Sequence, residues 1–311
     1  MKLTNWMKIW LEKYTQPRVK MRTYLMYKSL IERHISPVLG DYELKKLSPE
    51  ILQDFVLQKL TFGNLYTHQN LSNNTVNSIV NVLRQVLQSA VNLGIIQKEY
   101  SRFINTPRVQ EKQVVAFEKS EQIQLEKYCL NSPKPNHLGI IICLYTGLRL
   151  GELLALTWQD IDFEKRLIYI NKSSFTYYEN SKQKIIVDTP KTRNSNRIIP
   201  IPRQILGLLT KLKKHSKSNF VITTRLNTMV ASRSYEKTFE RILFRLNIPY
   251  KNFHALRHTF ATRAIEIGVD VKTLSEILGH KNPMITLSRY THSLLSHKKE
   301  MMNKLGKMLD Y

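Results

Sequence analysis

The chain has 311 residues, 42% of them hydrophobic, and carries 48 Lys and Arg against 24 Asp and Glu for a formal net charge of +24. That length allows two domains with separate cores, and that charge makes a polyanion the expected partner, with a basic housekeeping enzyme as the alternative on charge alone. No apolar run reaches about 18 residues, no signal-peptide pattern opens the chain, and Cys129 and Cys143 are far apart without a CxxC, so a membrane protein and a thiolate metal site are set aside and a reducing, cytoplasmic setting is expected.

The charge is spread along the chain. Residues 1–110 hold 15 basic and 7 acidic side chains, +8 of the total, which leaves +16 for the rest. One anionic surface gripped by both halves, such as duplex DNA, accounts for this better than a local membrane patch.

Residues 1–105 read as all-helical. Trp6, Ile9, Trp10 and Leu11 cluster in a first helix, and Tyr24, Tyr27, Leu30 and Ile31 in a second that ends before Pro37. Ser48-Pro49-Glu50 is a capped start for a third, backed by Ile51, Leu52, Phe55 and Val56. The strongest period is Val76, Ile79, Val80, Leu83, Val86, Leu87 and Ala90, entered through Ser72 and closed by Gly94. Four helices make a small bundle in which Trp6, Trp10 and Phe55 are core residues and not base-stacking platforms. Residues 106–115 (TPRVQEKQVV) lack any period and read as an extended linker with Arg108 and Lys112 available to phosphates, so the domain boundary is placed there.

Residues 116–311 form the second domain. His137 to Tyr145 is an apolar run of buried-helix character broken by Thr146-Gly147, and the following helix carries Arg149 and Glu152 three residues apart on one face. An arginine in the first turn of a helix is locally unfavourable, which suggests that Arg149 serves an anion. Across 161–201 the period changes to that of strands, in three segments around Leu167, KQKIIVDTP and NRIIPIP, read as antiparallel. Lys191 falls in the turn between the second and third, on an extended hairpin able to reach into a groove, although most lysines in so basic a chain are solvated ones. Residues 203–250 read as helical with a short extended piece at Phe220 to Thr223.

From Ala255, the residues Leu256, Phe260, Ala264 and Ile267 recur at helical spacing and Gly268 stops the helix, which leaves His254, Arg257 and His258 in its first turn as residues not explained by packing. Asp270 caps the next helix, which holds Leu274, Ile277 and Leu278 and ends at Gly279, so that His280 projects from its end. Asn282-Pro283 opens a short third helix with Tyr290 at its end. Leu294, Leu295, Met301, Met302, Leu305, Met308 and Leu309 suggest an amphipathic terminal helix for the core or for a partner protomer.

These motifs, TGLRLGELLALTW at 146–158, the lysine in TPKTRNSNRIIPIP, HALRHTFAT at 254–262, LGH at 278–280 and the tyrosine of SRYTH at 288–292, resemble those of the tyrosine recombinases, the phage-integrase family, in order and spacing. The resemblance covers residues 114–300 closely. GDYELKKLSPEILQDF and LSNNTVNSIVNVLRQVLQSAV are similar to the core-binding domain of integrases from phages and integrative elements of low-GC Gram-positive bacteria. The resemblance implies an all-α core-binding domain (1–105), a linker (106–115) and a mixed α+β catalytic domain with a small antiparallel sheet and a C-terminal helix (116–311), the two clamped around double-stranded DNA. It implies Arg149 and Arg257 as the paired catalytic arginines, Lys191 as the hairpin lysine, His254 and His280 as the two histidines, Tyr290 as the nucleophile, and Glu152 as support for the first arginine. His258 reads as a neighbour of the site. No metal and no other cofactor is expected. Four protomers on two DNA sites are expected, with possible directionality or DNA-bending accessory proteins.

The residue types also suit the chemistry by themselves. Phosphoryl transfer to a phenol places charge on non-bridging oxygens that two guanidinium forks can hold. A zinc reading of His254 and His258 fails on Ala255, where HExxH needs a glutamate, and on the lack of a third ligand. The function expected is site-specific cutting and rejoining of DNA through a covalent 3′-phosphotyrosine, integrating and excising a mobile element. The alternatives are an Xer-type dimer resolvase, a type IB topoisomerase-like enzyme, or a basic DNA-binding protein without catalysis. No separate arm-binding domain is evident in the sequence.

Overall fold

A computed structural model of the chain describes residues 1–65, 67–109, 115–132, 134–179, 182–188, 196–280, 299, 302–303 and 305–307. They fall into two compact units, Met1–Lys112 and Gln113–Tyr311. Among the described residues no helix is long and apolar enough to cross a membrane.

The first unit is helical. Helix α1 (Leu3–Ile9) continues into a π-helical turn at Trp10–Thr15, α2 (Met21–Leu30) into another at Ile31–Ile35, and α3 (Ser36–Leu39), α4 (Pro49–Phe62) and α5 (Asn73–Asn92) follow. The seven-residue apolar stripe of α5 is buried throughout and forms the spine of the core. Its start is fixed by Ser72, whose Oγ accepts the Thr75 N–H at 3.2 Å, and its end by Gly94 in the left-handed region. Ser48 caps α4 in the same way, with Pro49 in the first turn where its missing N–H costs nothing. Trp6, Trp10 and Phe55 are core residues, and the Trp6 indole N–H donates to the Val86 carbonyl at 2.9 Å. The extended segment that follows begins pinned to this unit. Asn105 bonds Gln53 both ways, and Asn77 and Asn73 of α5 donate to the carbonyls of Pro107 and Arg108 at 3.1 and 2.8 Å.

The second unit mixes helices and strands as expected. It contains α6 (Lys119–Leu130), α7 (Leu138–Thr146), α8 (Leu150–Ala155), β1 (Ile161–Asp162), β2 (Leu167–Ile170), β3 (Ser173–Glu179), β4 (Lys182–Asp188), β5 (Arg197–Pro200), α9 (Arg203–Lys214), α10 (Ser232–Arg245), α11 (His254–Glu266) and α12 (Val271–Leu278). Helix α7 is apolar all round and is buried among the others.

The strands differ from the expectation in two respects. They form two antiparallel sheets, β1-β2-β5 and β3-β4, and β3 was not legible because SSFTYYE, half-buried along most of its length, lacks a clean alternation. Within the described residues β4 pairs with β3 and β5 with β2, and the turn expected to carry Lys191 lies outside the described residues. Ile267 is a further correction: it is 81% exposed, because α11 ends at Glu266 and helical spacing no longer decides facing beyond the last turn. The short helix expected after Asn282-Pro283 lies outside the described residues. Of the apolar positions of the expected terminal helix, Met302 and Leu305 are described, and both are exposed.

Candidate active site

The C-terminus of α12 organises the site. Asp270 starts this helix by accepting the Thr273 N–H at 2.9 Å, and Leu274 and Leu278 pack against Ala261, Ala264 and Ile265 of α11. Gly279 ends it in the left-handed conformation, at φ 65°, with its N–H on the Glu276 carbonyl and the His280 N–H on that of Ser275, both at 3.0 Å. This turn satisfies two of the four carbonyls that every α-helix leaves open at its end, and Ile277 and Leu278 remain.

Arginines from three separate stretches complete the count. Arg197 Nε donates to Ile277 O at 2.6 Å, Arg257 Nη2 to Leu278 O at 2.6 Å, and Arg149 Nη2 to Gly279 O at 3.3 Å. Cations belong at this end of a helix, where the backbone dipoles leave a partial negative charge, each worth about 0.3–1 kcal/mol. Arg257 also donates from Nη1 to Gly147 O at 2.8 Å, so one buried guanidinium ties the ends of α7 and α12 together. Gly147 must be glycine: its φ is 65°, and a Cβ there would lie 2.7 Å from Phe260 Cδ1 and 2.9 Å from Leu278 Cδ2.

Glu152, on the first turn of α8, fixes Arg149. Its Oε1 accepts from Arg149 Nη1 at 2.8 Å and its Oε2 from the Arg149 backbone N–H at 2.9 Å. Arg197 forks onto the same carboxylate at 2.9 and 2.8 Å. Burial would push the Glu152 carboxyl up, but the bonds and charge of Arg197, followed by the charge of Arg149, bring it down to about 2. The two arginines and one carboxylate keep a net positive charge, and Arg149, 36% exposed, is the arginine of this trio that faces outward.

The histidines sit around this centre. His254 is exposed on the first turn of α11, His258 is buried one turn on, and their rings meet edge to face at 4.8 Å. His280 is half-buried immediately after α12, where its backbone closes the terminal turn. The structure therefore gathers Arg149, Glu152, Arg257 and His280 at one helix end, with His254 and His258 on the helix that supplies Arg257. Lys191 and Tyr290 lie outside the described residues. Arg197 was missed by the sequence reading. The signal for it is its register: Arg197 and Ile199 of β5 point inward while Ile198 and Pro200 point out, and a cation on the core side of a strand requires a buried partner.

The profile of the Phage integrase family matches residues 107–297, and that of the Phage integrase N-terminal SAM-like domain matches residues 2–60. The chain is 32% identical to a tyrosine recombinase XerC-like protein of Caldanaerobacter subterraneus subsp. tengcongensis, over 98% of this chain and 82% of the relative. It is 26% identical to the ICEBs1 integrase of Bacillus subtilis, over 93% of this chain and 79% of that protein. Among solved structures, the Tn1549 transposon integrase (residues 82–397) in complex with circular intermediate DNA shares its fold at a TM-score of 0.80 and 22% identity, covering 98% of this chain and all of that one.

Proposed function

The chain belongs to the phage integrase family of tyrosine recombinases and is a DNA strand-exchange enzyme, and we propose that it cuts duplex DNA with Tyr290 while Arg149 and Arg257 hold the scissile phosphate. The observation that supports this most is the convergence of the two arginines on adjacent carbonyls of one helix end, Gly279 and Leu278. Two guanidiniums fixed from the same turn present donors to the same anion, and removing one such donor costs roughly 3 kcal/mol of transition-state stabilisation.

In this reading the Tyr290 phenol oxygen attacks phosphorus and the bond to the 5′ oxygen breaks. His254 takes the phenol proton, Lys191 gives a proton to the departing 5′ oxygen, and His280 hydrogen-bonds the phosphate. The products are a 3′-phosphotyrosine and a free 5′-hydroxyl. The phosphotyrosine keeps the bond energy, so a 5′-hydroxyl from another strand can reverse the step without ATP. Glu152 orients Arg149, and His258 supports His254 from the next turn.

We assign residues 1–105 to a core-binding domain, 106–115 to a linker and 116–311 to the catalytic domain, with both domains contacting DNA. Four protomers would act on two sites in the cytoplasm, joined by directionality or DNA-bending proteins where the element encodes them. Similarity to the ICEBs1 integrase favours integration and excision of a mobile element. The XerC-like relative favours chromosome-dimer resolution as a second reading. Recombination assays on attachment-site pairs and on a dimer-resolution site separate the two.

The test of the chemistry is a nicked suicide substrate carrying the attachment site. A covalent protein–DNA adduct is expected that survives denaturation, forms in EDTA and disappears in Tyr290→Phe. An adduct that persists in that variant overturns the nucleophile assignment, and one that requires added metal overturns the mechanism.

A further inference from the structure

Arg197 has no part in the chemistry above, yet it makes the densest set of bonds near it. Its side chain is 5% exposed, it forks onto both oxygens of Glu152, and it spends its Nε–H on the last unsatisfied turn of α12 at Ile277. With Arg149 contributing a side-chain and a backbone donor, four hydrogen bonds fill the Glu152 carboxylate.

The arrangement answers an electrostatic difficulty. A carboxylate that orients one arginine also cancels that arginine's charge, which would leave Arg149 aimed but neutralised. A second arginine on the same carboxylate restores the balance, and the geometry shows which of the two carries it: Arg197 takes the two-pronged, buried contact, whereas Arg149 makes one side-chain bond to Glu152 and faces outward. We propose that Arg197 is a positioning residue that absorbs the charge of Glu152, so that Arg149 is held in place by Glu152 and still meets the scissile phosphate as a full cation. The low proton affinity of Glu152 is consistent, since it owes more to Arg197 than to Arg149. The inference rests on the reading of Arg149 as a phosphate ligand.

Charge arithmetic makes it testable in the full-length chain. The Arg149, Glu152 and Arg197 trio carries +1; Arg197→Met brings it to zero; Arg197→Met combined with Glu152→Gln returns it to +1. Single-turnover adduct formation on the nicked substrate is measured for each variant, with DNA affinity measured in parallel. Arg197→Met is expected to slow adduct formation about 10- to 100-fold with affinity changed less than about twofold, on the scale of losing a supporting partner behind a site ligand. The double variant is expected to regain at least about tenfold of that rate, and Arg197→Lys, which keeps the charge, to stay within about threefold of the unaltered chain.

A purely structural role predicts the opposite order, with the double variant no faster than Arg197→Met; that result, or an Arg197→Met rate equal to that of the unaltered chain, overturns the proposal. If Arg197→Met does not fold, Arg197→Lys decides: a rate near that of the unaltered chain supports the charge role, and a loss of tenfold or more overturns it. Failure of the unaltered chain to form any adduct would sink the recombinase reading itself, whereas a normal adduct with no effect at Arg197 sinks only this inference.

Discussion

Arg149 and Arg257 bond neighbouring carbonyls, those of Gly279 and Leu278, at 3.3 and 2.6 Å. Arg149 immediately precedes α8 and Arg257 lies on α11, 108 positions apart in the chain, and their relative placement is set by a third element that both of them hold. Any shift of the end of α12 moves both acceptors together, so the spacing of the two cations is more constrained than either side chain would be alone.

Arg257 is expected to be the less replaceable of the two. A lysine there places a point charge near one carbonyl but cannot fork between Gly147 and Leu278, and a buried carbonyl left unsatisfied costs about 1–3 kcal/mol. Arg257→Lys should therefore lower the melting temperature and reduce adduct formation about a hundredfold or more, whereas Arg149→Lys, at a half-exposed position, should lose rate with a smaller shift in melting. Thermal melts paired with single-turnover kinetics check both halves, and an Arg257→Lys protein that melts like the unaltered chain would refute the structural half.

Glu152 gives a pH signature. Its carboxyl sits at about 2 against an ordinary 4.5, because the two arginines outweigh the effect of burial. The folded chain thus holds this site's proton less tightly than the unfolded chain does. The stabilisation is complete above 4.5 and drains away as the pH falls toward about 2. Melting temperatures of the unaltered chain and of Glu152→Gln should converge across that window. A gap that stays constant from about pH 6 down to 2 would show that the carboxylate's charge contributes nothing.

Gly147→Ala tests the junction between α7 and α12. The added methyl meets Phe260 and Leu278, and the left-handed backbone is itself strained for alanine, so a loss of about 1–3 kcal/mol is expected in urea unfolding. Because Gly147 O is an acceptor for Arg257, the rate of adduct formation should fall as well. Retained stability in this variant would mean that α7 can end there in another conformation.

Much of this was legible from local patterns. Ser48, Ser72 and Asp270 mark helix starts through their side-chain oxygens, Gly279 marks a helix end through its backbone, and the buried stripe of α5 follows from its period. Arg149 stood out because it opposes the helix dipole, and the structure shows what compensates it: Glu152 one turn on and, through Glu152, Arg197. That second link was not legible. It spans 45 positions and joins a helix to a strand, and no local spacing encodes such a pair. Arg257 and His258 were read as polar residues not explained by packing, yet both are buried, because a helix end and not a hydrophobic surface receives Arg257. The division of the strands into two sheets was hidden for a related reason, since pairing partners are chosen by the fold and not by the strand's own alternation.

DNA affinity should fall steeply with salt. With an excess of 24 positive charges and both domains proposed to contact the backbone, each neutralised phosphate contributes a slope of about −0.9 in log affinity against log salt. Titrations of the attachment-site duplex at several salt concentrations measure the slope, and a flat response would rule out contact by both domains.

The cluster at the end of α12 also sets an order of events during synthesis. Arg149 and Arg197 leave the ribosome long before Ile277, Leu278 and Gly279, the carbonyls they share with Arg257. A nascent or prematurely terminated chain that stops before residue 277 can fold its first unit, yet it has no helix end on which to gather those cations. The cation cluster thus assembles only once the late stretch of chain that holds it has been made.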